Sequence, residues 1–506
     1  MFSHSTSSQR MFLGSILLVV ALVIAFPLYQ ALHTGGYLFF TNGIDEASYL
    51  SYPYSHMLRT WKGVARYSSS IIVWLHTVGL SGGYINILLD MLCAVTFLLA
   101  TRRALRRYGL APVEASECAL LIFMLPLLTT TWNPIIADLK ALTSWNALST
   151  WVTLAPNSDL LFLRSPEPQL SWTILALVIA YTPSSRLLPL ALLLIAPFLY
   201  TFVRLPVIFV AVTQLLPTSF PLTTRGIVSF TTVGALVGAF VHFSVSPELS
   251  RFVVESRAPV LPISALIATT IWFVARGRTP QRWREPCSIL VTSTWVGANV
   301  QIVSGWMIAP SKFEEYWSAA VIALILSLTI VLQSQRKRLW FAAAWMVFMF
   351  HAIEIFRQNS AVMGKLREPE RIINLLRTQP ERLAFNDVLL ATYVDMIHPR
   401  QDHSIMSFTR TYDLTSENSL RLYRCAQQDI ASRGEEVSKH FTDTFHRLDH
   451  GYRQRGIDDV ITMGRRPLEQ TSFPLSTNAS QCATLLPCEI VLEAISKIPC
   501  RRGSAS

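Results

Sequence analysis

Apolar stretches long enough to cross a bilayer recur through the first two thirds of this chain, and no other property narrows the possible folds as far. The first, Met11–Leu32, carries no charged residue. Crossing a hydrocarbon core of roughly 30 Å takes about 20 helical residues, and only helices and closed barrels satisfy their own backbone groups there. Ten further apolar runs follow: Ser81–Thr101, Cys118–Thr131, Leu170–Thr182, Leu187–Tyr200, Leu205–Leu216, Gly226–Phe243, Pro259–Ala275, Pro286–Val303, Tyr316–Leu332 and Leu339–Phe356. Half the residues are apolar (51%) and only 15% are charged, against about 25% charged in soluble domains. The first run is too long for a removed signal peptide and lacks a small-residue cleavage site, so it reads as a signal anchor. The expectation is an α-helical polytopic membrane protein with about eleven transmembrane helices.

The net charge of +11 does not point to nucleic acid, because the basic residues sit between apolar runs. Arg102, Arg103, Arg106 and Arg107 follow the second run. Arg276, Arg278, Arg282 and Arg284 separate the eighth from the ninth, and Arg336, Lys337 and Arg338 the tenth from the eleventh. Short loops rich in Lys and Arg stay in the cytoplasm. With a cytoplasmic N-terminus, all three clusters fall inside. The weakest stretch is Leu187–Leu216, interrupted by Pro197, Arg204 and Pro206. Two short spans with a turn near Thr201–Arg204 preserve the parity, whereas one kinked helix would invert part of it.

That topology puts three segments on the extracytoplasmic side: the loop Thr34–Leu80, the loop Trp132–Gln169 and the tail from Arg357. Long loops in a compact protein tend to be functional. The expected division is a transmembrane domain over residues 1–356 and a small soluble α/β domain over 357–506. Asp387–Ala391 and Ile457–Gly464 have the pattern of short buried strands, and helical spacing runs through Ser416–Arg433 and Glu435–His450. If the tail faces an oxidising space, Cys482 and Cys488 have the spacing of a small disulfide loop.

The chemistry-bearing residues gather on the same side. Asp45-Glu46 opens the first outer loop, just beyond the first span. An acidic pair at a membrane face suits a general base that takes a proton from an acceptor hydroxyl. It equally suits a helix N-cap, with Asp45 capping a helix from Glu46. Tyr49, His56, Arg59 and Lys62 follow in that loop. Arg164 and Gln169 flank Pro166-Glu167-Pro168, where the second outer loop meets the fourth span. Arg164 there can pair with a phosphate or anchor to headgroups. Asn299 and Gln301, inside an apolar run, either tie helices together or face a cavity. Glu314-Glu315 then brings a second acidic pair to this side.

In this order and on one side of the membrane, these segments resemble the GT-C superfamily of integral-membrane glycosyltransferases, and more narrowly a group of poorly characterised bacterial GT-C-like membrane proteins. The match rests on Asp45-Glu46 with Tyr49, on Arg164 through Pro168-Gln169-Leu170-Ser171, and on Asn299-x-Gln301-x-x-x-Gly305. It spans roughly Met11 to Phe356. Ser304 stands where such proteins usually have Thr, and a histidine expected after the glycine is replaced near Glu314. The resemblance implies a polyprenyl-phosphate-linked sugar donor and a lipid-linked or protein acceptor. It makes Asp45 the catalytic base, with Glu46 orienting it or sharing a divalent cation (Mg or Mn). Tyr49, His56, Arg164, Gln169, Asn299, Gln301 and Glu314 would be the substrate-binding residues. It also implies a bacterial plasma membrane, membrane lipid as a partner, no nucleic acid, and an extracytoplasmic C-terminal domain.

Two other classes compete. A lipid or polysaccharide transporter would show paired ionisable residues at mid-membrane and an inverted repeat; a non-catalytic envelope scaffold would tolerate loss of the carboxylates. Soluble kinases, dehydrogenases and hydrolases are excluded by the lack of a Gly-rich phosphate loop or a Gly-x-Ser-x-Gly motif.

Overall fold

Long apolar runs with few charges leave a chain no cheaper way to satisfy its backbone than the helix, and helix dominates this protein. The structure, a computed structural model, describes residues 3–34, 50, 67–80, 82–125, 152–153, 167–184, 186–244, 253–308, 310–363, 383–385, 489–492 and 496–499. The helices are α1 (Ser3–Thr34), α2 (Tyr67–Thr77), α3 (Gly82–Arg107), α4 (Pro112–Met124), α5 (Gln169–Tyr181), α6 (Leu188–Ile195), α7 (Thr201–Leu215), α8 (Leu222–Ser244), α9 (Ile263–Ala275), α10 (Gln281–Asn299), the short α11 (Gln301–Ser304) and α12 (Pro310–Phe313), α13 (Ala319–Gln333) and α14 (Lys337–Met363). A π-helical turn, Glu314–Ser318, leads into α13. Each expected apolar run lies on a helix over most of its described length. Three stretches are long and apolar enough to cross a membrane by length and composition: Gly82–Arg107, Leu222–Ala239 and Glu314–Gln333. Large apolar side chains such as Leu194 on α6, Phe273 and Val274 on α9 and Phe350 on α14 stand more than 70% exposed, as a lipid-facing surface requires.

The chain forms two compact units. One comprises 1–24, 62–68 and 88–354; the other comprises 25–61, 69–87 and 355–506. The second unit therefore takes in parts of the first loop as well as the tail. Its described tail residues form one sheet, with β5 (Leu383–Phe385) parallel to β6 (Glu489–Leu492) and β6 antiparallel to β7 (Ser496–Pro499). The strands expected at 387–391 and 457–464, the helical stretches between them, and Cys482 and Cys488 lie outside the described residues.

In the first unit the arginine clusters meet at one end. Arg282 Nη2 donates to Gly109 O at 2.7 Å, Gln333 Nε2 to Ala275 O at 3.3 Å and Arg107 Nη1 to Ile179 O at 3.4 Å. Arg102 lies over the Phe12 ring and Arg103 over the Tyr181 ring. Arg225 pairs with Glu285 at 2.6 Å. This end gathers the last turns of α3, α5, α9 and α13 and the first turns of α8 and α10. At the opposite end, side chains from α5, α10 and the π-turn bond to the segments that open α7 and α9. The helices thus alternate in direction between a basic end and a polar-aromatic end.

Two turns show how the sequence sets this up. At the end of α3, Gly109 adopts φ +87° and the Leu110 N–H reaches back to Leu105 O at 3.1 Å. A residue with a side chain is strained there, and a Cβ would also meet the Arg282 guanidinium. In the Leu187–Leu216 stretch two separate helices form, as the two-span reading expects, but the turn falls earlier. Ala196–Phe198 is a single 3-10 turn, and Thr201–Arg204 is already the first turn of α7. Arg204 folds back from α7 and donates to Leu199 O and Pro197 O, satisfying carbonyls that the turn leaves open.

Close packing at α10 is testable. A Cβ on Gly297 would lie 2.5 Å from the Phe313 ring, while one on Gly226 would meet nothing within 4 Å. Gly297→Leu is expected to destabilise the chain by about 1–3 kcal/mol, read as a lowered thermal midpoint in detergent, whereas Gly226→Ala leaves the midpoint unchanged or raises it slightly.

Candidate functional site

The polar-aromatic end of the first unit is built around one extended segment, Arg257–Pro262, which runs into α9. Extended backbone packed against apolar helices has no partner within its own helix, so its N–H and C=O groups need other donors and acceptors. Asn299, the last residue of α10, supplies both. Its Oδ1 accepts from Val260 N at 2.8 Å and its Nδ2 donates to Val260 O at 2.9 Å. Gln301 Nε2 donates to Ala258 O at 3.1 Å. Ser256 N donates to Gly305 O, extending the antiparallel pair of β2 (Val253–Glu255) and β4 (Trp306–Ile308). Leu261–Pro262 (β3) pairs in parallel with Val152–Thr153 (β1).

Glu314 closes the segment. Its Oε2 accepts from both Ser264 N, at 2.9 Å, and Ser264 Oγ, at 2.7 Å. Ser264 is the second residue of α9, so a carboxylate from another element caps this helix where its dipole is positive. Asn299, Gln301 and Glu314 are all buried. Three residues singled out by their polarity therefore fasten one stretch of backbone.

Gln169 belongs to the same end. Its Nε2 donates to Asp90 Oδ1 at 3.1 Å, with both side chains about 1% exposed. Two residues on, Ser171 Oγ donates to Glu167 Oε2 and accepts from Tyr200 N, each at 2.8 Å. Trp172 Nε1 donates to Tyr316 O at 3.2 Å, and its ring stacks on Trp317 with centroids 5.2 Å apart. Trp317 Nε1 in turn donates to Ser293 Oγ at 2.8 Å. Tyr200, Phe202, Phe313 and Tyr316 pack ring on ring beside this chain of bonds. Lys312 pairs with Glu315 at 2.7 Å.

The structure thus brings Gln169, Asn299, Gln301 and Glu314 to one end of the unit. Asp45, Glu46, Tyr49, His56 and Arg164 lie outside the described residues, as do Arg59 and Lys62. Among the described residues no group of three or more His, Cys, Asp or Glu side chains is placed to hold a metal ion. Two residues went unremarked in the sequence. Asp90 is a lone carboxylate within an apolar run, a signal of function or of a buried partner. Ser264 offers no signal, since its importance depends on where Glu314 arrives.

In the second unit His76, on α2, is fully buried between two carbonyls. Its Nε2 lies 2.7 Å from Leu50 O and its Nδ1 2.9 Å from Leu80 O. Burial lowers its pKa below the ordinary histidine value, and the two carbonyl bonds, which favour the imidazolium, only partly offset this. No protein-family model matches the chain, and no curated protein matches it as a relative.

Two outcomes follow from this geometry. Replacing Asn299 by Leu leaves the Val260 N–H and C=O unpaired, at about 1–3 kcal/mol each. Glu314→Gln keeps an acceptor for Ser264. Thermal unfolding is expected to show a large loss for Asn299→Leu and a smaller one for Glu314→Gln; equal midpoints for wild type and Asn299→Leu would refute the fastening role. For His76, the unfolded chain binds the proton more readily than the folded one. Stability contributed by this site is therefore complete above about pH 6.5 and declines as pH falls below it. The thermal midpoint measured from pH 7.5 to 5.5 should fall less steeply in His76→Gln than in wild type.

Proposed function

We propose that this chain is an integral-membrane glycosyltransferase that moves a sugar from a polyprenyl-phosphate-linked donor to an extracytoplasmic acceptor, a cell-envelope glycan, a glycolipid or a protein. In this reading the chain crosses the membrane eleven times, with the basic end at the cytoplasmic surface. Asp45 takes the proton from the acceptor hydroxyl as its oxygen attacks the anomeric carbon. The bond from that carbon to the phosphate oxygen breaks, and polyprenyl phosphate departs with its charge met by Arg164. Glu46 orients Asp45 or shares a divalent cation with it, and Tyr49 and His56 complete the acceptor side. Gln169, Asn299, Gln301 and Glu314 act on the same side, as a rigid polar frame.

The observation that carries this reading is the convergence of four residues, from α5, the α10–α11 junction and the π-turn, at the end of the unit opposite the arginine clusters. A lipid-linked substrate demands a site near a membrane surface, and α5 and α9, at 13 residues each, are only about 20 Å long. Helices that short stop about 10 Å inside a 30 Å hydrocarbon core. The polar end is then recessed, within reach of a prenyl chain.

Asp90, a buried carboxylate inside α3, favours a second reading, a transporter of a lipid or glycan in which Asp90 carries a coupling proton. One experiment separates them: the envelope glycan and glycolipid profile of a null strain complemented with wild type, Asp45→Asn, Glu46→Gln or Asp90→Asn. The transferase reading expects a missing glycan restored by wild type and not by a well-expressed Asp45→Asn. Full rescue by both Asp45→Asn and Glu46→Gln, with none by Asp90→Asn, would turn the assignment to transport.

A further inference from the structure

We infer that the basic end of the first unit is a docking surface for anionic phospholipid headgroups, with its tightest site at the seam between α3 and α5. The inference rests on the chain being membrane-embedded and is independent of the glycosyltransferase reading.

The last two turns of α3 carry Arg102, Arg103, Arg106 and Arg107. Arg103 lies 4.4 Å from the centroid of the Tyr181 ring, and Arg107 reaches the Ile179 carbonyl in the last turn of α5. Tyr181 itself is 60% exposed. Arg276, Arg278, Arg282, Arg284, Arg336 and Lys337 share this end through the loops already described. Among the described residues, Arg225 is the one cation here held in an ion pair. Glu285 is taken by Arg225, and Glu114 lies against the Ala111 N–H at its own helix start.

So many like charges, four of them within six residues of one helix, repel one another unless an outside anion screens them. The surroundings select which anion. Phe273, Val274, Leu339 and Trp340 stand exposed beside these cations. The charged rim is therefore continuous with the apolar wall that faces acyl chains. A phosphate with attached acyl chains fits both surfaces, whereas a soluble polyanion would leave the apolar part uncovered. Aromatic rings with Arg at a helix end form a headgroup-level anchor. A basic pocket between helices on this side of a membrane suits an anionic lipid.

The test uses the purified full-length chain in detergent, titrated with dioleoyl phosphatidylglycerol, dioleoyl phosphatidylcholine, inorganic phosphate or a short RNA, and read by retained lipid in native mass spectrometry and by the thermal midpoint. Phosphatidylglycerol should be retained and raise the midpoint, with phosphatidylcholine, phosphate and RNA having little effect. Arg103→Gln with Arg107→Gln should weaken phosphatidylglycerol binding roughly 25-fold, at about fivefold per charge removed. Arg103→Lys with Arg107→Lys retains most of the binding, and Arg257→Gln with Lys312→Gln, at the opposite end, retains all of it. On the wild-type chain, binding should fall as salt is raised, which tests the idea even if the double Gln variant misfolds. Equal retention of phosphatidylcholine, equal stabilisation by phosphate or RNA, salt-insensitive binding, or equal losses in the two double Gln variants would each overturn it.

Discussion

A peptide group in an apolar interior must find a hydrogen-bond partner, and the polar-aromatic end of this bundle is organised by that demand. Helices meet it internally. The segment before α9 cannot, because it is extended where it packs against α10. Asn299 replaces the missing ladder with a side-chain amide, which turns one N–H and its oxygen to Val260 at peptide-like spacing and its other N–H to Trp295 O at 3.2 Å. The two bonds to Val260 amount to a single rung of sheet made by a side chain. Gln301 and Glu314 repeat the solution on either side, at Ala258 and Ser264.

The π-turn at Glu314–Ser318 follows from the same demand. One extra residue in the turn shifts the facing of what precedes it relative to α13. Glu314 is thereby directed at α9, while Trp317 is directed at Ser293 on α10. Such turns are common at functional sites because they re-aim side chains without ending a helix. Here the re-aimed residues are a carboxylate and a tryptophan, and the tryptophan stacks on Trp172 at the head of α5. Three helices are locked at one level by a few polar atoms, which makes that end a rigid platform.

How much of this was legible in the sequence depends on what kind of group each residue bonds. The helices were legible, because apolar runs of this length have few alternatives. Asn299 and Gln301 were legible because polar groups in an apolar run need partners, Gln169 from the proline-flanked entry to its span, and Glu314 as half of an acidic pair. The partners of Asn299 and Gln301 were not, because Val260 and Ala258 contribute only backbone, and backbone is the same at every position. Asp90 could have been found by the reasoning that found Asn299, but the hydrophobicity of its run masks a single charge. The turn after α6 was misplaced by a few residues because Arg204 looks like an interruption in the sequence. In the structure it is a cap reaching backwards to Leu199 and Pro197.

The two ends of the unit differ in how their charges are treated, and this difference ties the fold to a membrane. At the polar-aromatic end, Glu314 is met by Ser264 and Glu315 by Lys312. At the basic end, the guanidinium groups mostly lie against carbonyls and rings, with Arg225 the one described there in an ion pair. Charges left without internal partners are stable where water and headgroups reach them, whereas charges inside the bundle must be satisfied by the protein itself. The burial of Asp90 against Gln169 then follows for the same reason as the clamp on Val260: inside the bundle each polar atom depends on the neighbour the fold supplies.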